Sequence, residues 1–366
     1  MDEYRPNRGL PIQELETPCL IVDLDALEHN YNHISETYRT GTTKMRQHVK
    51  DIKTPELAHM QIKAGGTVGG VCAAKVSEAE VMVESGISDV FITNQIVTQD
   101  KIARLCSLTQ RANIKVCVDN PTNLRELSQA AEAMGGTIGV LVEVDTSMHR
   151  AGVRSITEGV QLAKLASNLP GIHFKGVMSH QAISGNPDKE TRLIEGRKFI
   201  QMCLDVRDAI EKEGIPVEMV SSGETFTYDV APDMPGVTEV EGGTYALMST
   251  AYSYLPEFQI AVKILGTIVS TPQSDISVGD VGRRALASPN GVLPSLEGLP
   301  TVRVSELQDN HIVFRSNGPM PLTVGDRFLL HSGQQDILVN RWDQFVAVRR
   351  GFVECVWQIL ARGCHN

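Results

Sequence analysis

The sequence predicts an α/β protein in which a (β/α)8 TIM-like barrel is followed by a C-terminal antiparallel β domain. Two observations lead to this fold class. Over the first two thirds of the chain, short apolar and β-branched runs alternate with stretches of helical spacing and charge, which is typical of a parallel sheet. After about Tyr254 the pattern changes to β runs separated by Gly, Pro and Asn turns, which indicates antiparallel strands.

Eight apolar runs are the candidate barrel strands, and eight strands suffice to close such a barrel. They lie at residues 45–49, 67–72, 90–93, 114–118, 138–144, 174–178, 217–221 and 238–240.

Helical stretches lie between these runs. In SEAEVMVESG we expect Ser77 as the N-cap, Glu80 as the partner that completes a capping box, and Gly86 at the helix end. Nearer the N-terminus, CLIVDLDALEHNYNHI predicts a strand that runs into a helix capped by Asp25, with Glu28 three residues later.

Three segments are expected from these patterns. Residues 1–24 contribute an N-terminal strand to the β domain, residues 25–253 form the barrel, and residues 254–366 form the C-terminal β domain. A chain of 366 residues with 42% hydrophobic residues can bury a large core, and one large plus one small domain is the natural division.

Composition excludes several classes of function. The net charge of −10, without a dense basic stripe, argues against nucleic acid as a partner. No apolar run is long enough for a membrane span and the first residues lack the apolar core of a signal peptide, so a cytoplasmic location is predicted. Seven scattered cysteines without CxxC spacing argue against a disulfide framework and a thiolate zinc site. A small molecule is the expected partner.

In a parallel barrel the chemistry lies at the C-terminal ends of the strands. Lys50 directly follows the apolar run in MRQHVK, so its stem can be buried while its amine faces the barrel mouth. Desolvation and neighbouring cations there lower a lysine pKa towards nucleophilic use, which makes Lys50 a Schiff-base candidate. The same position also suits a solvated or ion-paired lysine.

Two small-residue loops follow the last two barrel runs. SSGET at 221–225 and EGGTY at 241–245 can both surround a phosphate with backbone N–H groups and hydroxyls. Their position after strands seven and eight matches the usual phosphate site of barrels, although each loop on its own is also compatible with an ordinary turn.

Two further strand-end residues are candidates. Arg150 in VDTSMHRAGV follows the fifth run and suits either a cofactor contact or a carboxylate pair that ties the loop. His180 follows GVMS at the sixth run and is either a structural histidine or, opposite a lysine, an acid–base group.

These motifs, in this order, resemble the fold-type III pyridoxal-phosphate enzymes. The similarity is to the D-threonine aldolase and D-serine dehydratase-like group, which shares the alanine racemase N-terminal barrel. It covers nearly the whole chain, in the segments TPCLIVDLDALEHNY, MRQHVKDIKTPELA, VSEAEVMVESGISDVFI, VEVDTSMHRAGV, SSGETFTYD, GVTEVEGGTYALM, VGDRF and VECVWQILARG.

The resemblance implies roles for individual residues around pyridoxal 5'-phosphate in the barrel. Lys50 would bind the cofactor covalently, and Arg150 would lie near its phenolic oxygen. The phosphate would be surrounded by Ser222, Gly223, Glu224, Thr225, Gly243 and Tyr245. An amine, an anion cradle and a group at the ring nitrogen are what this cofactor requires.

The chain departs from the family at the implied metal site. The segment GDRFLLHSGQQDILVN places Gln334 where relatives have a ligand His and keeps Asp336, with His331 as the nearest alternative ligand. An amide oxygen is a poor zinc ligand but can bind magnesium or manganese, so zinc is not expected and another divalent metal stays open.

Two other departures concern the reaction. His180 stands where the aldolase group tends to have Tyr, and MSHQA is closer to the alanine racemase segment. Glu241 stands where Arg or a neutral residue is common. At the ring nitrogen Glu241 would strengthen the electron sink, and otherwise it has a structural role.

The resemblance implies a lyase that cleaves the Cα–Cβ bond of a D-type β-hydroxy-α-amino acid by retro-aldol, with Lys50 and His180 as the catalytic residues. His180, or a water near Asp336, would take the hydroxyl proton. The alternatives are β-elimination as in a D-serine or 3-hydroxyaspartate dehydratase, an amino-acid racemase or epimerase, and a non-catalytic cofactor carrier. A homodimer is also expected by resemblance.

Overall fold

The computed structural model describes residues 4–183, 187–288 and 292–366. The chain divides into two compact units. The barrel unit comprises Ile34–Lys50, Pro55–Gly243 and Cys364–Asn366, and the sheet unit comprises Met1–His33, Asp51–Thr54 and Thr244–Gly363. The domain limits at residues 24 and 253, which rest on sequence pattern alone, stay predictions.

The strands of the described residues are, in chain order, β1 (Cys19–Asp23), β2 (Lys44–His48), β3 (Thr67–Ala73), β4 (Asp89–Ile92), β5 (Asn113–Val118), β6 (Ile138–Glu143), β7 (Ile172–Ser179), β8 (Met219–Ser222), β9 (Glu239–Gly242), β10 (Val262–Gln273), β11 (Ile276–Gly279), β12 (Ser295–Leu296), β13 (Val302–Leu307), β14 (Ile312–Ser316), β15 (Arg327–His331), β16 (Gln344–Arg349) and β17 (Phe352–Gln358).

The α-helices are α1 (Leu24–Thr37), α2 (Pro55–Ala64), α3 (Val76–Glu84), α4 (Gln99–Leu108), α5 (Pro121–Ala133), α6 (Ile156–Ala166), α7 (Lys189–Lys212) and α8 (Gln335–Val339). Short 3-10 helices lie at Ile12–Glu14, Thr225–Thr227, Ala231–Asp233 and Thr250–Tyr252. None of the helices in the described ranges combines the length and apolar character that crossing a bilayer requires.

Strands β2 to β9 form a closed parallel barrel in chain order, which confirms the predicted fold class. The barrel closes where β9 pairs with β2, from Lys44 opposite Glu239 to Gln47 opposite Gly242. One side chain from each of β3 to β8 enters a single apolar cluster, and a cluster shared by six successive barrel strands can only lie inside the barrel. Its members are Cys72, Phe91, Cys117, Leu141, Met178 and Met219.

The predicted N-cap of α3 is wrong, because the helix begins before Ser77. The helix begins at Val76, and the carboxylate of Glu78 accepts a hydrogen bond of 3.2 Å from the backbone N–H of Lys75. Glu80, which we expected to complete a capping box with Ser77, instead binds Nε of Arg104 at 2.7 Å.

The cap of α1 is also displaced. Oδ1 of Asp23 accepts hydrogen bonds from the backbone N–H groups of residues 25 and 26, at 3.1 and 3.2 Å, so Asp23 caps the helix in place of Asp25. Asp25 and Glu28 both bind the guanidinium of Arg349 on β16. The carboxylates that suggested a cap serve a contact that is distant in sequence.

The sheet unit has the strand order β13-β14-β11-β10-β1-β16-β17, and β15 pairs with β10 and β12. The N-terminal strand β1 runs antiparallel to β10 and parallel to β16. Most of the other pairs are antiparallel, as predicted for the C-terminal third. One apolar cluster of this unit lies on the face of β1 that carries Cys19 and Ile21, and it also contains Leu15, Leu265, Val346, Val348 and Val353.

Candidate active site

Lys50 lies two residues beyond the end of β2 and is half-buried. Its backbone N–H donates a hydrogen bond of 3.3 Å to Nδ1 of His48, and Nε2 of His48 lies 3.3 Å from Oγ1 of Thr93, just after β4. With Nδ1 accepting from Lys50, a hydrogen on Nε2 can be donated to the hydroxyl of Thr93. His48 thus fixes the backbone at Lys50, a role that the strand pattern alone does not reveal.

His180 directly follows β7, and 14% of its side chain is exposed. Burial and, after it, the positive charges of Lys50 and Arg150 hold the pKa of His180 well below its ordinary value. The imidazole is therefore neutral at neutral pH and able to accept a proton. Three predicted site residues, from the ends of β2, β6 and β7, thus influence one another electrostatically.

The loop after β8 brings a carboxylate to the same place. Oε2 of Glu224 lies 3.8 Å from Nε2 of His180. The backbone N–H of Glu224 donates a 2.9 Å hydrogen bond to Oγ1 of Thr227, which closes a tight turn that includes buried Thr225. Gly223 has φ +116°, a conformation that L side chains rarely adopt. Such a loop can direct backbone N–H groups at an anion.

Ser222 lies in a cluster of buried polar side chains with Ser179 and Gln181. Its Oγ is 2.8 Å from Oγ of Ser179 and accepts a 3.0 Å hydrogen bond from Nε2 of Gln181. Both hydroxyls also hydrogen-bond to Cys203 on α7, which partly offsets the burial that raises the pKa of that thiol to about 12. The Ser222 hydroxyl therefore faces α7, and only its backbone remains for the predicted phosphate contact.

Glu241 on β9 is buried next to a carboxylate that an arginine neutralises. The hydroxyl of Ser221 lies 2.7 Å from Oε1 of Glu241 and 2.9 Å from Oε1 of Glu239. Arg46 donates two hydrogen bonds of 2.8 Å to Glu239. Because Arg46 pairs with Glu239 and not with Glu241, Glu241 is the carboxyl group of this pair that is protonated more readily.

The electrostatics of Glu241 agree with this assignment. Burial and the nearby charge of Glu239 hold the pKa of Glu241 well above its ordinary value, although the hydrogen bond from Ser221 acts in the opposite direction. Its second oxygen, Oε2, is buried and has no hydrogen-bond partner among the residues that the structure describes. Glu241 thus presents a polar atom inside the barrel that a bound molecule can use.

The loop after β9 divides between the two units. In the barrel unit, Nε2 of Gln47 donates a 3.4 Å hydrogen bond to the carbonyl of Gly243. Tyr245 belongs to the sheet unit, where its buried ring packs edge-on against Tyr31, with ring centroids 6.2 Å apart, and near Phe258. A contact of Tyr245 with a phosphate stays a prediction.

The residues of the barrel mouth fit pyridoxal phosphate. Lys50 supplies an amine, the Gly223 loop supplies a small-residue turn for the phosphate, and the unpartnered Oε2 of Glu241 can receive a ring N–H. These three features meet the three requirements of the cofactor.

The residues at α8 do not fit the implied divalent ion. Gln334 occupies the position of the expected His ligand, and Oδ1 of Asp336 accepts a 2.8 Å hydrogen bond from the next backbone N–H. Nε2 of His331 lies 2.9 Å from Glu297, whose carboxylate also binds the ammonium of Lys263. Across the described ranges, no three His, Cys, Asp or Glu are grouped so as to hold a metal. Magnesium or manganese therefore stays a prediction without a ligand set.

A closed parallel barrel with this arrangement at its strand ends defines a pyridoxal-phosphate enzyme of the barrel type. Residues 22–250 match the family described as alanine racemase, N-terminal domain, and residues 261–348 match the putative serine dehydratase domain. The chain belongs to the alanine racemase N-terminal domain family.

Curated relatives and a solved structure resemble the whole chain. It is 34% identical to 3-hydroxy-D-aspartate aldolase of Paracoccus denitrificans (strain Pd 1222), over 97% of this chain and 94% of the relative. It is 32% identical to D-threonine aldolase of Arthrobacter sp, over 97% and 95%. The crystal structure of D-threonine aldolase from Filomicrobium marinum matches with a TM-score of 0.94 at 31% identity, over 99% of this chain and 100% of that one. The protein is therefore an enzyme.

Proposed function

We propose that this protein is a pyridoxal-phosphate-dependent lyase that cleaves the Cα–Cβ bond of a D-configured β-hydroxy-α-amino acid by retro-aldol. The observation that supports the proposal is the state of His180 at the barrel mouth. The residue is mostly buried, and burial together with the charges of Lys50 and Arg150 lowers its pKa, so the ring is neutral. Relatives named as aldolases of 3-hydroxy-D-aspartate and D-threonine support the same reaction and the same substrate class.

His180 acts as the base. Retro-aldol cleavage removes the proton of the β-hydroxyl group, and the unprotonated Nε2 of His180 is available to accept it. Burial and the charges of Lys50 and Arg150 keep the ring unprotonated beforehand, and they also make the protonated ring less stable. The Glu224 carboxylate, 3.8 Å from Nε2, favours the protonated ring once the proton has arrived. The proton can then be delivered to the Cα carbanion, which completes glycine, without leaving the site.

The other strand-end residues bind and orient. Pyridoxal phosphate, when bound, supplies the electron sink for the Cα carbanion. Lys50 is the lysine that would hold it, with its backbone fixed by His48. Arg150 would contact the phenolic oxygen, Glu241 would contact the ring nitrogen, and the phosphate would lie against the backbone of Ser222, Gly223, Glu224 and Thr225 and against Gly243 and Tyr245.

The raised pKa of Glu241 bears on its proposed contact. A carboxyl group without charge does not by itself hold a proton on the ring nitrogen. Oε2 of Glu241 can accept a ring N–H if the group ionises on binding, or its own proton can be donated to an unprotonated ring nitrogen. In both cases Oε2, which is buried without a hydrogen-bond partner within residues 4–183, 187–288 and 292–366, gains a partner on the cofactor.

The substrate and the assembly are also proposals. We propose a small amino acid as the substrate and a homodimer as the assembly. The main alternative reaction is β-elimination with Lys50 as the base, and it is favoured by the 24% identity over 86% of this chain to D-threo-3-hydroxyaspartate dehydratase of Delftia sp. (strain HT23).

The products distinguish these reactions. We would incubate the holoenzyme with D- and L-3-hydroxy amino acids, with and without EDTA, and measure aldehyde, keto acid and inverted amino acid separately. We expect aldehyde and glycine from D-configured substrates, and no activity in Lys50→Ala, which should also lose the visible absorbance above about 400 nm of the bound cofactor. Keto acid and ammonia without aldehyde would overturn the aldolase proposal.

A further inference from the structure

Gln335, the first residue of α8, joins two buried groups of the sheet unit. Its Nε2 donates a 2.7 Å hydrogen bond to Oδ1 of Asp51 and a 3.1 Å hydrogen bond to Oγ1 of Thr244. The hydroxyl of Thr244 lies 3.4 Å from the same carboxylate oxygen. The three residues are 2%, 1% and 8% exposed, respectively, and we call them the Gln335 clamp.

The geometry of the clamp requires an amide at position 335. The carboxamide nitrogen carries two hydrogens, and one is directed at each acceptor. The opposite orientation of the amide would place Oε1 against the Asp51 carboxylate, so the hydrogen-bond network fixes the orientation. Hydrogen bonds to a carboxylate are among the stronger ones, and burial strengthens them further. An ionised glutamate at this position would repel Asp51.

The acceptors of the clamp are chain neighbours of two proposed cofactor residues. Asp51 follows Lys50, and Thr244 follows Gly243. The turn Asp51–Thr54 has a second attachment, because the backbone N–H of Ala361 donates a 3.0 Å hydrogen bond to the carbonyl of Lys53.

The same turn contains backbone strain. Lys53 has φ +49°, which is uncommon for a residue other than glycine. The turn therefore depends on contacts such as the clamp to keep its conformation, and the chain leaves Lys50 in the direction that this turn sets.

We propose that Gln335 is a positioning residue of the active site. Through Asp51 and Thr244, the Gln335 clamp fixes the backbone directly after Lys50 and directly after Gly243, and so sets the direction of the lysine and of the second phosphate loop. In this chain the first residue of α8 forms the Gln335 clamp, whereas the family resemblance implies a metal site at the same helix. The inference rests on the proposed function in one respect, namely that Lys50 binds the cofactor.

The first test compares Gln335→Ala with a matched control on the same helix. Leu338 is fully buried on α8 and has no polar side-chain atom, so Leu338→Ala loosens the helix by lost packing alone. We would measure the dissociation constant of pyridoxal phosphate by absorbance titration, the rate at which hydroxylamine releases the cofactor, and the thermal stability.

We expect Gln335→Ala to weaken cofactor binding by about ten- to a hundredfold and to accelerate its release, since a charge-assisted hydrogen bond is lost. Leu338→Ala should lose at least as much thermal stability and yet change the cofactor affinity by less than about threefold. Equal losses of affinity in the two variants would mean that Gln335 only stabilises the fold and would overturn the proposal.

A second variant gives a pH signature and serves if Gln335→Ala does not fold. Gln335→Glu keeps the size of the side chain, but its carboxyl can donate to Asp51 only when it is protonated. Cofactor affinity in this variant should approach that of the wild type at low pH and fall as the pH rises. If the cofactor affinity of Gln335→Glu depends on pH in the same way as that of the wild type, a clamp that works by a hydrogen bond donated from residue 335 is contradicted.

Borohydride reduction followed by peptide mass spectrometry separates this inference from the proposed function. Reduced cofactor found on a lysine other than Lys50 overturns the Lys50 assignment and the proposed function with it. Label on Lys50 together with unchanged cofactor affinity in both Gln335 variants overturns the clamp alone.

Discussion

Replacing His180 with glutamine should lower kcat for cleavage by about 10² to 10⁴, which corresponds to about 2.7 to 5.4 kcal/mol of activation free energy. Glutamine preserves a polar side chain of similar length but cannot take up a proton. The imidazole is mostly buried, and burial with the charges of Lys50 and Arg150 keeps its pKa low, so the wild type has the basic form ready at neutral pH. The loss should therefore fall on kcat more than on KM.

The same substitution should change how stability depends on pH. Since the native pKa of His180 lies below the value of the unfolded chain, about 6.5, the unfolded chain binds the proton first as the pH falls. The wild type therefore loses about 1.4 kcal/mol of unfolding free energy per pH unit between about 6.5 and the native pKa. His180→Gln lacks this loss, and its relative stability should rise towards acid pH.

Two assays test this reasoning. Aldehyde release from a D-3-hydroxy amino acid gives kcat and KM, and urea unfolding of the cofactor-free proteins at about pH 5.5 and about pH 7.5 gives the stability difference. A kcat within about fivefold of the wild type would refute His180 as the base. Unfolding free energies that change in parallel with pH would refute its buried, neutral state.

Four further substitutions test the surroundings of the site. The free energy of unfolding of Glu241→Gln, measured with urea, should rise relative to the wild type by about 1.4 kcal/mol per pH unit from about pH 4.5 to the native pKa of Glu241. The reason is that the raised pKa of Glu241 destabilises the wild type only above the pKa of the unfolded chain. Arg46→Met leaves the buried Glu239 carboxylate without its guanidinium and should cost about 3 to 5 kcal/mol in thermal or urea unfolding. Gly223→Ala should weaken cofactor binding more than Ser222→Ala does in an absorbance titration, because residue 223 needs a positive φ whereas the Ser222 hydroxyl faces α7.

The barrel was predictable because its signal is local. Most of the strands β3 to β7 carry their own runs of apolar residues, and the predicted limits of the barrel strands differ from the observed ones by no more than a few residues, as in β7, which extends over Ile172–Ser179. Helix caps were less predictable, since Asp25 and Glu28 have the spacing of a capping pair but bind Arg349, more than 300 residues away in sequence.

The site was predictable only in part. Strand-end positions indicated Lys50 and His180 as candidates, because every parallel strand of a barrel ends at the same rim. The orientation of Ser222 was not predictable, since a strand alternates its faces and only the barrel register decides which hydroxyl turns to α7. The protonation of Glu241 depends on Ser221 and Glu239 from neighbouring strands, and no single segment contains that information.

Retro-aldol cleavage breaks the Cα–Cβ bond without loss of the Cα hydrogen, and proton NMR of the reaction in deuterium oxide tests this directly. We expect glycine with one deuterium at Cα, an equal amount of aldehyde, and recovered substrate without deuterium at Cα. Deuterium at Cα of the recovered substrate, or keto acid in place of glycine, would contradict retro-aldol cleavage.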